Sequence, residues 1–239
     1  MPSTQPKLEY GYFYHIYNRG INGCPLFHHS ENYEHFLRLY DQYISPVADT
    51  FAWCLMGNHF HLLVKIKTVS EIPFMKKETP EGRKDPSGLA DNLSGSSRPE
   101  SVLKPKKYKP TSQFSHLFNA YAKAFNNRYK RSGSLFEHPF ERVKILNNDQ
   151  LEYMVYYIHH NPVHHGFCND MLEYPWSSYL TILSPKKTRL KRTEVLKWFA
   201  EPENFIKYHC QQSIDRFHQL HIDLPVLQVQ PQNIKLPNK

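Results

Sequence analysis

The sequence predicts an α+β fold: a ferredoxin-like split βαβ with an antiparallel sheet, extended at its C-terminal end by helical segments. Two observations carry this. Short stretches with strand character and longer stretches with apolar side chains at helical spacing follow one another in the order β-α-β-β-α-β, the order of the split βαβ unit. A chain of 239 residues with 40% hydrophobic and 14% aromatic side chains can also fill the core of one sizeable domain, with or without a small appendage.

Taken in order, Tyr12 to Asn18 alternates and reads as the first strand. Glu31 to Ile44 carries Phe36, Leu37, Leu39, Tyr40 and Tyr43 and reads as an amphipathic helix, with Ser30 as its N-cap. Thr50 to Met56 is the second strand, and Gly57-Asn58 signals a hairpin turn into the third, where Phe60, Leu62, Val64 and Ile66 alternate. Thr111 to Tyr129 places Phe114, Leu117, Phe118, Tyr121 and Phe125 at helical spacing, and Arg142 to Leu146 is the last strand. Leu151 to Pro162 is a further helix. Asn147, Asn148 and Asp149 are all plausible caps before it, and Pro162 is expected to stop it. The two helices of the split unit should cover one face of the sheet and this last helix the other.

Two regions lie outside that order. Residues 71 to 110 are rich in Pro, Gly, Ser and charge and close on Lys104, Lys106, Lys107 and Lys109; they read as a mobile loop, either a solvated linker or a basic arm. From Lys186 a basic run leads into a short helix, Glu194 to Phe199, and a longer one, Asn204 to His221. This tail is compatible with capping the core, binding nucleic acid or reaching a site.

The chemistry concentrates in two places. Alternation in the third strand buries Phe60 and its partners and sets His59 and His61 together on the opposite face. A lone strand histidine is usually packed or solvated, but an i,i+2 pair opposite an apolar face is able to share one metal ion. On the last helix, Tyr157 and Asn161 are i,i+4 neighbours. A phenol and an amide stacked this way suit a metal held by two histidines, one as nucleophile and the other as third ligand. Tyr156 points about 100° away around the helix. Tyr153, one turn from Tyr157, is the competing phenol.

Thirty Lys and Arg against 22 Asp and Glu give a net charge of +8, which favours a polyanionic partner. The four cysteines show no C-x-x-C pairing, so neither a zinc knuckle nor a disulfide scaffold is expected, and reduced cytosolic thiols are the default. No apolar run is long enough to span a membrane, and the first residues lack a signal-peptide core.

Five ordered segments carry a specific resemblance: Tyr14-His-Ile-Tyr-Asn-Arg-Gly20, Leu55-Met-Gly-Asn-His-Phe-His-Leu-Leu-Val64, Phe125-Asn-Asn-Arg-Tyr-Lys-Arg-Ser-Gly-Ser-Leu-Phe136, Tyr156-Tyr-Ile-His-His-Asn-Pro-Val-His-His-Gly166 and Tyr174-Pro-Trp-Ser-Ser178. Together they resemble the HUH single-tyrosine transposases, specifically the REP-associated tyrosine transposase branch, over residues 8 to 180. Gly57 stands where many relatives have proline. Residues 68 to 112 form an expanded, flexible basic insertion, and residues 186 to 239 form a partly helical extension that matches nothing in the family.

The resemblance implies an HUH endonuclease core in which His59, His61 and Asn161 bind a divalent ion, Mg²⁺ or Mn²⁺, although by ligand softness alone a mixed N/O set suits zinc more decisively. Tyr157 would be the nucleophile, four residues before Asn161 as the family pattern requires. It would cut single-stranded DNA at sites flanked by a REP-like hairpin and leave a 5′-phosphotyrosine. Arg19, Arg128, Lys130, Arg131 and Arg142 are the expected phosphate contacts, best supported where basic and aromatic side chains interleave around Arg128 to Gly133. A cytoplasmic, nucleoid-associated protein acting as monomer or homodimer is expected. Two other readings stay open: a domesticated DNA-hairpin-binding protein that does not cut, and a metal-dependent hydrolase with water as nucleophile. The His-x-His-x-His of nucleotide hydrolases is absent, since Leu63 takes the third place. His160, His164 and His165 read as solvated loop histidines.

Overall fold

The computed structural model describes residues 5–75 and 106–211. Strands β1 (Phe13–Arg19), β2 (Ala48–Met56), β3 (His59–Ile66) and β4 (Glu141–Ile145) form one sheet in the order β2-β3-β1-β4. Every neighbouring pair is antiparallel, and β3 lies between β1 and β2, as the split βαβ requires. The fold class expected from the sequence is the one found.

Helices α1 (Ser30–Ile44) and α2 (Pro110–Tyr129) cover one face. There Tyr14, Ile16, Phe60, Leu62 and Val64 pack with Phe36, Phe114, Leu117 and Tyr121, all 0–1% exposed. Aromatic rings interlock edge-on at the centre, with Phe36 and Tyr121 5.2 Å apart and nearly perpendicular. Helix α3 (Asn148–His164) packs on the other face, against Cys54, Met56, Leu63 and Ile145. The even and odd positions of β1 and β3 therefore serve two cores, which is why β3 is buried almost throughout.

The start of α1 and the end of α3 differ from expectation, and the start of α3 selects one of the three expected caps. Ser30 is the first residue of α1 rather than its cap. His29 takes the cap position because Asn32 Oδ1 reaches back to accept from the N–H groups of His28 and His29, at 3.0 and 3.1 Å. Asn147 caps α3, its side chain accepting from Gln150 N at 2.9 Å. That helix runs on to His164, through Pro162. A proline in the last turn forfeits a single hydrogen bond, and His165 N on Asn161 O (2.9 Å) and Phe167 N on Pro162 O (2.8 Å) close the end.

Tyr174–Ser178 lies along the outer edge of β2. Leu55 N donates to Trp176 O, Ser178 N to Trp53 O and Trp53 N to Ser178 Oγ, each at 2.9 Å. These bonds satisfy an edge that would otherwise present unpaired groups. The chain continues through α4 (Tyr179–Leu183), α5 (Arg192–Trp198) and α6 (Pro202–Gln211). Val195, Phe199 and Phe205 enter the same core as α3, so the described part of the extension packs against that helix. A buried chain of polar contacts fixes the junction: His159 Nε2 meets Ser178 Oγ at 2.7 Å, His159 Nδ1 meets His209 Nε2 at 3.0 Å, and His209 Nδ1 donates to Phe205 O at 2.8 Å. The final helix is described to Gln211; the remainder of the span expected to Ile214, Phe217 and His221 lies outside the described residues, as does Lys104. At the base of the insertion, Met75 N donates to Lys106 O at 2.7 Å.

Candidate active site

His59 and His61 stand on the α3 face of β3, 0 and 1% exposed. Across β1 their register partners are Arg19 and Tyr17, and His15 stands two residues before Tyr17 on the same face. Helix α3 brings Tyr157 over this group. Its ring centroid is 5.5 Å from His61 and 5.9 Å from His15, edge-on to both. Asn161, one turn further along the same face of α3, is fully buried.

The hydrogen bonds leave a particular set of atoms bare. His59 Nδ1 meets Asn58 Oδ1 at 2.7 Å, and Asn58 Nδ2 donates to Gly23 O at 3.4 Å. His61 Nδ1 meets His15 Nε2 at 2.9 Å. Asn161 Nδ2 donates to Tyr157 O at 2.7 Å. His59 Nε2, His61 Nε2 and Asn161 Oδ1 are all buried with no hydrogen-bond partner among the described residues. Three bare buried polar atoms on β3 and the helix packed over it are costly unless something else satisfies them. Two imidazole nitrogens and an amide oxygen fit a divalent cation. Among the described residues no group of three or more His, Cys, Asp or Glu is placed to hold a metal.

Burial holds both imidazoles neutral. It pushes His59 well below the usual histidine range, helped by His165 and Arg19, and His61 likewise, helped by His15, His59 and His165. Neutral imidazole is the liganding form. Burial also lifts the Tyr157 phenol to about 12, against the opposing influence of its Asn161 neighbour. Tyr153, the competing phenol, is fully buried and its ring centroid lies 5.6 Å from that of Tyr156.

The expected phosphate contacts separate into three places. Arg19 sits opposite His59 at the end of β1, with Nε 2.6 Å from Glu137 Oε1. Arg128, Lys130 and Arg131 lie where α2 ends. Arg128 is 4.0 Å from Glu31, Lys130 takes the left-handed cap conformation (φ 53°), and Arg131 donates to Asn126 Oδ1 at 3.0 Å. The chain after them returns to the site end of β1, where Ile21 N donates to Leu135 O at 2.9 Å and Glu137 N to Arg19 O at 3.0 Å. Arg142 is opposite Ile16, and therefore on the α1–α2 face, with its guanidinium 4.8 Å from the Phe140 ring. The structure brings Arg142 to the other side of the sheet from the histidines.

His15, Tyr17, Asn58 and His165 are also at the site, and none was assigned to it from the sequence. The strand period that paired His59 with His61 applies equally to His15 and Tyr17. His165 is not a solvated loop residue: it caps α3, half-buried, with its ring 5.1 Å from that of His59. His160 lies inside α3 and is half-buried. Only His164 is exposed, as expected.

No protein-family profile matches the chain, and no curated protein matches it. Among solved structures it is similar to one described as a REP-associated tyrosine transposase bound to a REP hairpin, with a TM-score of 0.52 and 15% sequence identity, covering 77% of this chain and 87% of that one. At this identity the likeness establishes the fold, in agreement with the resemblance read from the five segments. Among the described residues no helix is long and apolar enough to cross a membrane.

Proposed function

We propose that this chain is a metal-dependent single-stranded DNA endonuclease and strand transferase in which Tyr157 forms a 5′-phosphotyrosine intermediate. The observation that carries the reading is that His59 Nε2, His61 Nε2 and Asn161 Oδ1 are all buried and bare, on the strand and the helix that also bring the Tyr157 ring to 5.5 Å from His61. The DNA hairpin bound by the structural neighbour and the net charge of +8 support a DNA partner.

His59, His61 and Asn161 would hold the ion, Mg²⁺ or Mn²⁺. Bound there, a divalent cation supplies Lewis-acid polarisation of a phosphate oxygen. Tyr157 supplies the nucleophile. Its Oη–P bond forms as the bond from phosphorus to the 3′ oxygen breaks, so the free strand end is a 3′-hydroxyl and the 5′ phosphate stays on the enzyme. The phenol proton leaves and one proton is taken up by the departing oxygen. The bond energy is retained in the ester, so a second 3′-hydroxyl is able to reverse the step and join strands without a nucleotide. A phenol raised to about 12 is a poor nucleophile at neutral pH until a neighbouring positive charge favours its ionised form. Arg19 is the nearest assigned cation for the substrate's phosphates.

The test is incubation of wild type and Tyr157→Phe with labelled single-stranded DNA carrying hairpins, with Mg²⁺, Mn²⁺ or EDTA, resolved under denaturing conditions. A covalent protein–DNA band is expected only with metal and only with Tyr157. Cleavage that survives Tyr157→Phe transfers the reaction to water or Tyr153. Hairpin binding with no adduct at any metal concentration makes the protein a binder that does not cut.

A further inference from the structure

We infer that His15 and Asn58 are positioning residues that lock His61 and His59 in the one tautomer able to bind a cation through Nε2. The inference rests on the metal site proposed above and extends it to residues outside the ligand set.

The case for Asn58 follows from its own bonds. Its Nδ2 donates to Gly23 O at 3.4 Å, which turns Oδ1 toward His59 Nδ1 at 2.7 Å. An amide oxygen only accepts, so His59 carries its proton on Nδ1, and Nε2 is left as a bare lone pair. His59 Nε2 and Asn161 Oδ1 are then two acceptors, both buried and both without a donor. Asn161 has no freedom to turn its amine toward the site, because Nδ2 is committed to Tyr157 O at 2.7 Å.

His15 makes the corresponding contact on the second ligand, with its Nε2 2.9 Å from His61 Nδ1. Either nitrogen is able to donate. If His15 donates, His61 carries a proton on Nε2, aimed at no acceptor. If His61 donates, its Nε2 becomes a third bare lone pair, in addition to those of His59 Nε2 and Asn161 Oδ1. Both arrangements leave His15 Nδ1 and His61 Nε2 without a protein partner. A cation at the site therefore decides between them, and it selects His61 as donor and His15 as acceptor. Each ligand is thus held from outside, one from the hairpin turn before β3 and the other from the neighbouring strand β1. Loss of such an outer partner commonly lowers metal affinity by 10–100-fold, since the ligand is then free to rotate or change tautomer.

The test reads metal binding and tautomers directly on the full chain. Mn²⁺ affinity is measured by electron paramagnetic resonance for wild type, His59→Ala, Asn58→Ala, Asn58→Asp, His15→Leu and His15→Gln, with a thermal melt of each. Tautomers are read on ¹⁵N-labelled wild type with Mg²⁺ from two-bond ¹H–¹⁵N imidazole correlations. Expected are an affinity loss of about 10–100-fold in Asn58→Ala and His15→Leu, recovery in Asn58→Asp and His15→Gln, each of which supplies an acceptor for the ligand's Nδ1–H, and Nδ1-protonated His59 and His61 in the Mg²⁺-loaded protein. A wild type that binds Mn²⁺ no better than His59→Ala overturns the metal site itself. A wild type that binds while folded Asn58→Ala and His15→Leu bind equally well, or that shows either ligand protonated at Nε2, overturns the positioning roles alone. Because the tautomer measurement needs no substitution, the inference stays exposed to refutation even if a variant fails to fold.

Discussion

Gly20 has an ordinary extended backbone, φ −66° and ψ 136°, that any residue adopts. What requires glycine is space: a Cβ there would lie 1.9 Å from Cys24 O and 2.9 Å from Cys24 Sγ. Gly20 N also donates to Asn58 O at 2.8 Å, so displacement of this backbone passes to the turn that holds His59. Gly20→Ala is expected to lose about 1–3 kcal/mol in urea unfolding and to weaken Mn²⁺ binding together with it. Wild-type stability in Gly20→Ala would show that the Cys24 turn yields at no cost. At this scale the sequence disclosed part of the site. His59 and His61 were legible because Phe60 and its alternating partners marked which face was apolar. His15 and Tyr17 obey the same alternation, but polar side chains on a strand look alike whether they face water or a second layer. Only the covering of that face by α3 separates the two cases. Asn58 was legible as a turn residue and concealed its second task, because a side-chain contact with the next residue has no periodic signature.

Helix α3 carries both Tyr157 and Asn161, so its seating sets the site. Sequence signals located it to within a few residues, through Asn147 at one end and Pro162 near the other. They overstated Pro162, which removes one backbone donor yet does not stop the helix short of His164. They did not reveal that α6 braces α3. That brace is made of contacts between His159, His209 and Ser178 across 50 and 19 residues of chain, which no local pattern reports. His209→Leu leaves His159 Nδ1 buried without its partner. It is expected to cost about 1–3 kcal/mol of stability and to speed amide exchange along α3 more than along α2. Equal exchange in the two helices would mean that apolar packing of Phe205 and Val195 alone seats α3.

The whole molecule is built with neutral imidazoles at both of its critical places, the histidine cluster under α3 and the brace beneath α6. Burial holds His15 down to about 3 and His209 to about 4, and holds His59, His61 and His159 well below the ordinary value of 6.5. The unfolded chain takes up these protons near pH 6.5, while the folded one refuses them until the pH approaches 4 or lower. Between those limits the unfolded state binds more protons, so acid favours it. The stability these groups provide is complete above about pH 6.5 and declines as the pH falls, at about 1.4 kcal/mol per pH unit for each such histidine. Urea midpoints measured in EDTA at pH 7.5, 6.0 and 5.0 should therefore drop steeply, and His209→Leu, which removes one of the refused protons, should show a shallower decline from its lower starting point. Added Mg²⁺ should raise the midpoint by a similar amount at all three pH values, because the folded protein keeps the Nε2 lone pairs of His59 and His61 unprotonated throughout that range. A midpoint that stays level from pH 7.5 to 5.0 would mean that these imidazoles are not held neutral by the fold. The donor set at His59 and His61 would then lose its physical basis together with the acid sensitivity.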